Sequence, residues 1–112
     1  MREVQKAMPR LKDAGISVEL IDLRTIYPMD KETLSQWIRK TGRIVFVAEE
    51  PTSFGVGSEI IAVANEEAFL YLQAPPKRVT AFDTIVPLPK GEHHYMISPE
   101  RIFYEIEKTV KF

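Results

Sequence analysis

The run RIVFVAEE, Arg43 to Glu50, most limits what this chain can become. Every residue from Ile44 to Ala48 is apolar, and several are β-branched. A strand sends successive side chains to opposite faces, so an unbroken apolar run needs cover on both. That is the situation of a central strand in a parallel sheet. Parallel neighbours need long crossover connections, normally helices.

The rest of the chain supplies candidates for them. Val4, Ala7, Met8 and Leu11 share one face of a helix over 2–14. Pro9 interrupts it, so a bend there or a regular helix only beyond it is expected, with Gly15 as C-cap. Asp30 is a suitable N-cap for a helix through Lys40, with Leu34, Trp37 and Ile38 on its buried face and Gly42 at its end. A long helix is predicted over Ser58–Leu72. Ser98 followed by Pro99 opens a closing helix with Ile102, Ile106 and Val110 inward. Further strands are predicted within Ile16–Ile26 and around Arg78–Ala81, and residues 83–98 read as mostly loop. The order predicts a three-layer α/β/α domain with a mostly parallel sheet and right-handed crossovers. Only three strands are evident and the chain opens on a helix. The domain is therefore expected to be minimal or to lack something upstream.

The length of 112 residues suits one domain, here 1–112. A formal charge of -1 gives no reason to expect a nucleic-acid partner. With no cysteine, disulfides, thiolate metal sites and cysteine nucleophiles are excluded. No apolar run approaches the ~20 residues that span a bilayer. The charged, helical start is unlike a signal peptide, and a cytoplasmic location is the default expectation.

FGVGSE, Phe54 to Glu59, stands between a strand and a helix, where nucleotide-binding loops stand. A dinucleotide fingerprint wants three glycines at GxGxxG spacing. Gly55 and Gly57 supply two, and Ile60 takes the third position. The Gly-Lys-Ser/Thr ending of a phosphate loop is absent. Glu59 would repel a phosphate at the helix start. A structural or interface turn is the better reading.

Glu49, Glu50 and Asp83 lie beyond strand ends, the edge where open α/β sheets gather ligands. Paired carboxylates there could move protons or hold a divalent metal. Adjacent acids point apart on a strand, so solvated or interface acids are the plainer reading. His93 and His94 have no evident nucleophile or orienting acid, and loop exposure is expected of them. Trp37 and the many other aromatics suit a core or a partner surface. No catalytic, cofactor or metal residue is assigned. The rival is a free-standing small-ligand or enzymatic domain using the edge near Glu49, Glu50, Asp83 and His93.

VELIDLRTIYPMDKETL, KTGRIVFVAEEP, FGVGSEI, LQAPPKRVTAFDTIVP and the closing helix together resemble one family. It is the C-terminal domain of the thiamine-diphosphate-dependent 2-oxoacid dehydrogenase E1 beta subunit, of pyruvate or branched-chain type, within the transketolase C-terminal-domain group. The resemblance covers nearly the whole chain. It implies an assembly domain, non-catalytic alone, whose cofactor thiamine diphosphate with Mg is bound elsewhere in the full E1. Implied partners are the E1 alpha subunit, the E1 beta N-terminal region and the peripheral subunit-binding domain of the acyltransferase core, E2, with self-association a further option. The family's domain begins with a strand ahead of the helix matching 2–14, and that strand is missing here. Phe54, Gly55, Val56 and Gly57 match a turn near a subunit contact, where the glycines would let the chain turn sharply. Leu72, Gln73, Ala74 and Pro75 match an LDAP segment whose aspartate faces basic residues of E2. Gln73 replaces that aspartate and cannot form the same ion pair. The carboxylate of Phe112 remains available.

Overall fold

A computed structural model describes residues 1–112. The elements are α1 (Arg2–Asp13), α2 (Lys31–Thr41), β1 (Val45–Pro51), α3 (Val56–Ala68), β2 (Lys77–Ala81), α4 (Glu92–Tyr95) and α5 (Pro99–Val110). One turn of 3₁₀ helix, Phe69–Tyr71, follows α3. β1 and β2 pair in parallel, with Val45 opposite Lys77 and Val47 opposite Val79.

The apolar run of β1 is used as its composition demands. Val45 and Val47 pack on one cluster, built from Ala7 and Leu11 of α1, Val79, and Ile102, Phe103 and Ile106 of α5. Ile44 and Phe46 pack on the other, built from Leu34 and Ile38 of α2 and Ile60, Val63 and Ala64 of α3. The sheet thus lies between two helical layers, which is the expected α/β/α arrangement.

The helix signals act locally. Asp30 caps α2: its carboxylate accepts from the Thr33 N–H at 3.0 Å and from the Thr33 hydroxyl at 2.7 Å. Gly42 closes α2 in the left-handed conformation, φ 67. The Ser98 hydroxyl accepts from Arg101 N at the start of α5. α1 is one continuous helix with Pro9 inside. Its C-cap is Ala14, and Gly15, φ 72, is the residue just beyond. α3 is shorter than Ser58–Leu72 predicts, because its last turn tightens to 3₁₀. The short helix α4 lies in the stretch read as loop.

One predicted element differs more deeply. Ile16–Ile26 belongs to no strand, and the sheet has two. Between Ile16 and Tyr27 the only backbone bonds outside regular elements run from Ile16 N to Leu11 O and from Arg24 N to Asp22 O. The physical reason is the absence of a neighbouring backbone. A strand-like sequence makes a strand only when an adjacent chain satisfies its N–H and C=O groups.

Ile102 is 0% exposed at the centre of the α1–α5 layer. Ile102→Ala is expected to cost about 2–5 kcal/mol, read as a lower urea midpoint. Val110→Ala, on the exposed side of α5, should move the midpoint far less.

Candidate functional site

The loop between β1 and α3 is organised by Glu50. Its carboxylate turns onto the start of α3 and accepts from Val56 N at 2.9 Å and Gly57 N at 2.8 Å. Those are helix-start donors with no partner inside the helix, the groups that bind phosphate in nucleotide loops. Here an internal carboxylate occupies them.

The glycines serve this lock through space, correcting the expectation that they supply a sharp turn. Gly55 has an ordinary extended backbone, φ -87. A Cβ on it would fall 2.4 Å from the Glu50 carboxyl group. A Cβ on Gly57 would fall 2.6 Å from the Phe46 ring. The positive φ belongs to Phe54, φ 59, a conformation uncommon for a bulky residue. The Phe54 side chain is fully exposed. Val56 is half-buried and packs against the α2–α3 cluster.

Polar contacts tie this loop to the end of β2. The Arg78 guanidinium donates to Thr52 O at 2.7 Å and to the Ser58 hydroxyl at 2.8 Å. The Thr52 and Thr80 hydroxyls are 2.9 Å apart. Ser53 donates to Asp83 from its N–H at 2.9 Å and its hydroxyl at 2.6 Å. The Ser53 hydroxyl, then its N–H, hold the Asp83 carboxyl below the usual carboxylate range. Around this clamp Phe82, Ile85, Val86 and Leu88 are exposed, as Phe54 is.

Of the sheet-edge acids, Glu50 and Asp83 are therefore engaged by backbone N–H groups. Glu49 and His93 both line a cavity of about 770 Å³ at the starts of α1 and α5. His94 is exposed on α4. No group of three or more histidine or acidic side chains is placed to hold a metal. With the α3 start filled by Glu50, these residues do not fit a diphosphate cofactor and its Mg.

Gln73 lies in the turn before β2, where its N–H donates to Gly42 O at 2.7 Å. Arg43 donates to its side-chain carbonyl at 2.6 Å and to Thr109 O, near the end of α5, at 3.3 Å. Arg43 thereby links the Gln73 turn to the helix leading to Phe112, which is 76% exposed. Sequence reasoning missed Arg43, because a charge at the head of an apolar run reads as a strand boundary. Trp37 is half-buried on α2, with the Lys40 ammonium 4.5 Å from its ring centre. It lines a cavity beside β1 rather than joining the α2–α3 cluster.

The model of the transketolase C-terminal domain matches residues 1–102. The chain belongs to that family, and it is homologous to the pyruvate dehydrogenase E1 beta subunit. It is 47% identical over 111 residues to "Pyruvate dehydrogenase E1 component subunit beta" of Acholeplasma laidlawii, covering 99% of this chain and 34% of that protein. The Mycoplasma pneumoniae protein of the same name is 48% identical over 101 residues, covering 90% and 30%. The Staphylococcus aureus (strain Mu50 / ATCC 700699) one is 39% identical over 112 residues, covering 100% and 34%. The chain thus spans about a third of the length of these relatives. A solved structure titled "Split gene transketolase, inactive beta4 tetramer" shares the fold, with TM-score 0.83 and 23% identity, over 98% of this chain and 35% of that one. No helix is long and apolar enough to cross a membrane.

Two predictions follow from the clamp geometry. Glu50→Ala leaves two helix-start amides without their acceptor, an expected loss of about 1–3 kcal/mol. Hydrogen exchange should quicken at Val56 and Gly57 first. Asp83 has a lowered folded pKa, so its contribution is fully present above the unfolded value and is lost as pH falls through the folded one. Carboxyl NMR should show Asp83 titrating below an ordinary aspartate. Asp83→Asn should flatten the acid limb of the stability–pH curve.

Proposed function

We propose that this chain is the C-terminal part of a 2-oxoacid dehydrogenase E1 beta subunit and acts in assembly and E2 docking, without chemistry of its own. The observation that carries the reading is the use of Glu50 and Asp83 as internal ties beside an exposed apolar rim, within a chain homologous to that subunit. Acids committed to backbone N–H groups hold loops in place. Exposed aromatic and aliphatic side chains suit burial against a partner. On this reading Phe54 through Gly57 meet a neighbouring subunit, either E1 alpha or the E1 beta N-terminal region, and Trp37 is buried by assembly.

The complete complex would oxidatively decarboxylate a 2-oxoacid and pass the acyl group to lipoyl groups, with thiamine diphosphate and Mg held by other parts of E1. The names of the relatives favour pyruvate. For E2, the link through Arg43 supports a surface formed by the Gln73 turn and the end of α5. The carbonyl of Gln73 is engaged with Arg43, which leaves the exposed Phe112 as the residue this surface offers to E2.

Calorimetric titration with the cognate E2 peripheral subunit-binding domain tests docking. A saturable one-site isotherm that weakens with salt is expected. Phe112→Ala should weaken it further. No heat at low or moderate salt, from a chain shown to be folded, would refute E2 docking.

A further inference from the structure

Arg101, in the first turn of α5, carries the one buried side-chain nitrogen or oxygen of this chain without a hydrogen-bond partner, its Nη1. Its Nη2 donates to Thr80 O, near the end of β2, at 2.8 Å. The guanidinium carbon lies 4.9 Å from the centre of the Phe82 ring, which covers one face of the group. Arg101 belongs to none of the chain's ion pairs.

Two electrostatic preferences are overridden here. A buried charge is costly unless it is paired. A cation in the first turn of a helix meets the positive end of the helix dipole. Arg101 cannot escape by losing its proton, because a guanidinium stays charged in proteins. Departures of this kind concentrate at sites that something else completes.

The surroundings say what would complete this one. Beyond Phe82 the chain exposes Ile85, Val86 and Leu88. Phe54 is exposed on the loop that Ser53 ties to Asp83. Such side chains are covered by apolar atoms of a partner. The acids of the rim are engaged elsewhere, Glu50 with Val56 and Gly57, and Asp83 with Ser53. What Nη1 lacks is an acceptor, and a charged one gains most from a guanidinium. A phosphate group would bring about two negative charges close to Asp83, where a carboxylate brings one.

We propose that Arg101 is the recognition residue of this apolar rim. An acidic side chain, flanked by apolar residues on the protein chain that covers the rim, turns the Phe82 ring aside and pairs its carboxylate with Nη1. The inference deepens the reading of the rim as a subunit contact and rests on it. Phe82 can act as the gate because its ring is half exposed and holds no hydrogen bond. Water is already stripped from Nη1 in the free chain, so pairing there meets little further desolvation penalty on this side. Apolar cover supplies adhesion, and the buried pair selects the partner. A neutral apolar side chain at that place would leave Nη1 unpaired, and a basic one would add a second cation.

The test uses the 112-residue chain and two probes of the same shape, hydrocinnamate and hydrocinnamamide, at constant ionic strength. Both offer an aromatic ring to the rim, and only the first carries a carboxylate. NMR follows the side-chain nitrogens of Arg101 and the ring of Phe82. Hydrocinnamate should shift both saturably and bind roughly fivefold or more tightly than the amide, the difference between a charged and a neutral acceptor. Arg101→Met and Arg101→Gln, the second keeping a donor for Thr80 O, should each bring the two probes within about twofold of one another. Equal binding of both probes to the unmodified chain would overturn the proposal and leave the rim as a plain apolar contact. So would an acid preference that survives in a folded Arg101 variant, or a long-lived water at Nη1 that saturating hydrocinnamate does not displace. Binding of neither probe to the folded chain would overturn the rim reading together with the Arg101 site. The E2 titration reads the surface around Gln73 and Phe112, so its outcome is independent of these.

Discussion

The carboxylate of Glu50 on the first amides of α3 is the contact around which the β1 end of this molecule is arranged. It joins the last residues of β1 to the start of the helix that covers the sheet. Around it, Gly55 must lack a Cβ to admit the carboxyl group, and Gly57 must lack one to admit Phe46. The chain between them projects Phe54 into solvent with a positive φ. Such backbone strain persists only where the surroundings over-determine it. The lock also decides the chemistry, since the donors that could cradle a phosphate already hold a carboxylate.

That contact depends in turn on a strand covered from both sides. β1 alternates Val45 and Val47 toward α1 and α5 with Ile44 and Phe46 toward α2 and α3. Arg78 on β2 then reaches Thr52 and Ser58, and Asp83 beyond β2 reaches Ser53. The two strand ends are thereby fastened into one rim. Of its outward residues, Phe54 and Ile85 are almost wholly exposed, and Phe82 is half exposed beside the Arg101 guanidinium.

Much of this was legible in the sequence, and for local reasons. The unbroken run Ile44–Ala48 required cover on both faces. Asp30 with Thr33, and Ser98 with Pro99, marked helix starts through short-range hydrogen bonding, and both caps are present. Segments resembling the E1 beta C-terminal domain pointed to the family to which the chain belongs. What escaped depends on distant partners. Ile16–Ile26 has a strand's composition, but pairing requires a neighbour that its own residues cannot supply. Glu50 read as one of several edge acids, because its role arises only when the chain folds back by six and seven residues to Val56 and Gly57. Arg43, joining Gln73 to Thr109, spans separations that no local pattern encodes.

The account stands on the claim that the FGVGSE loop is an internal lock and not an anion site. Titrating the isotopically labelled chain with inorganic pyrophosphate, while following the Val56 and Gly57 amide resonances, tests it most directly. With Glu50 in place, those resonances should stay still apart from the uniform drift caused by ionic strength. In Glu50→Gln they should move from their starting positions before any pyrophosphate is added. Saturable shifts confined to Val56 and Gly57 in the unmodified chain would contradict the account and return the loop to the class of phosphate cradles.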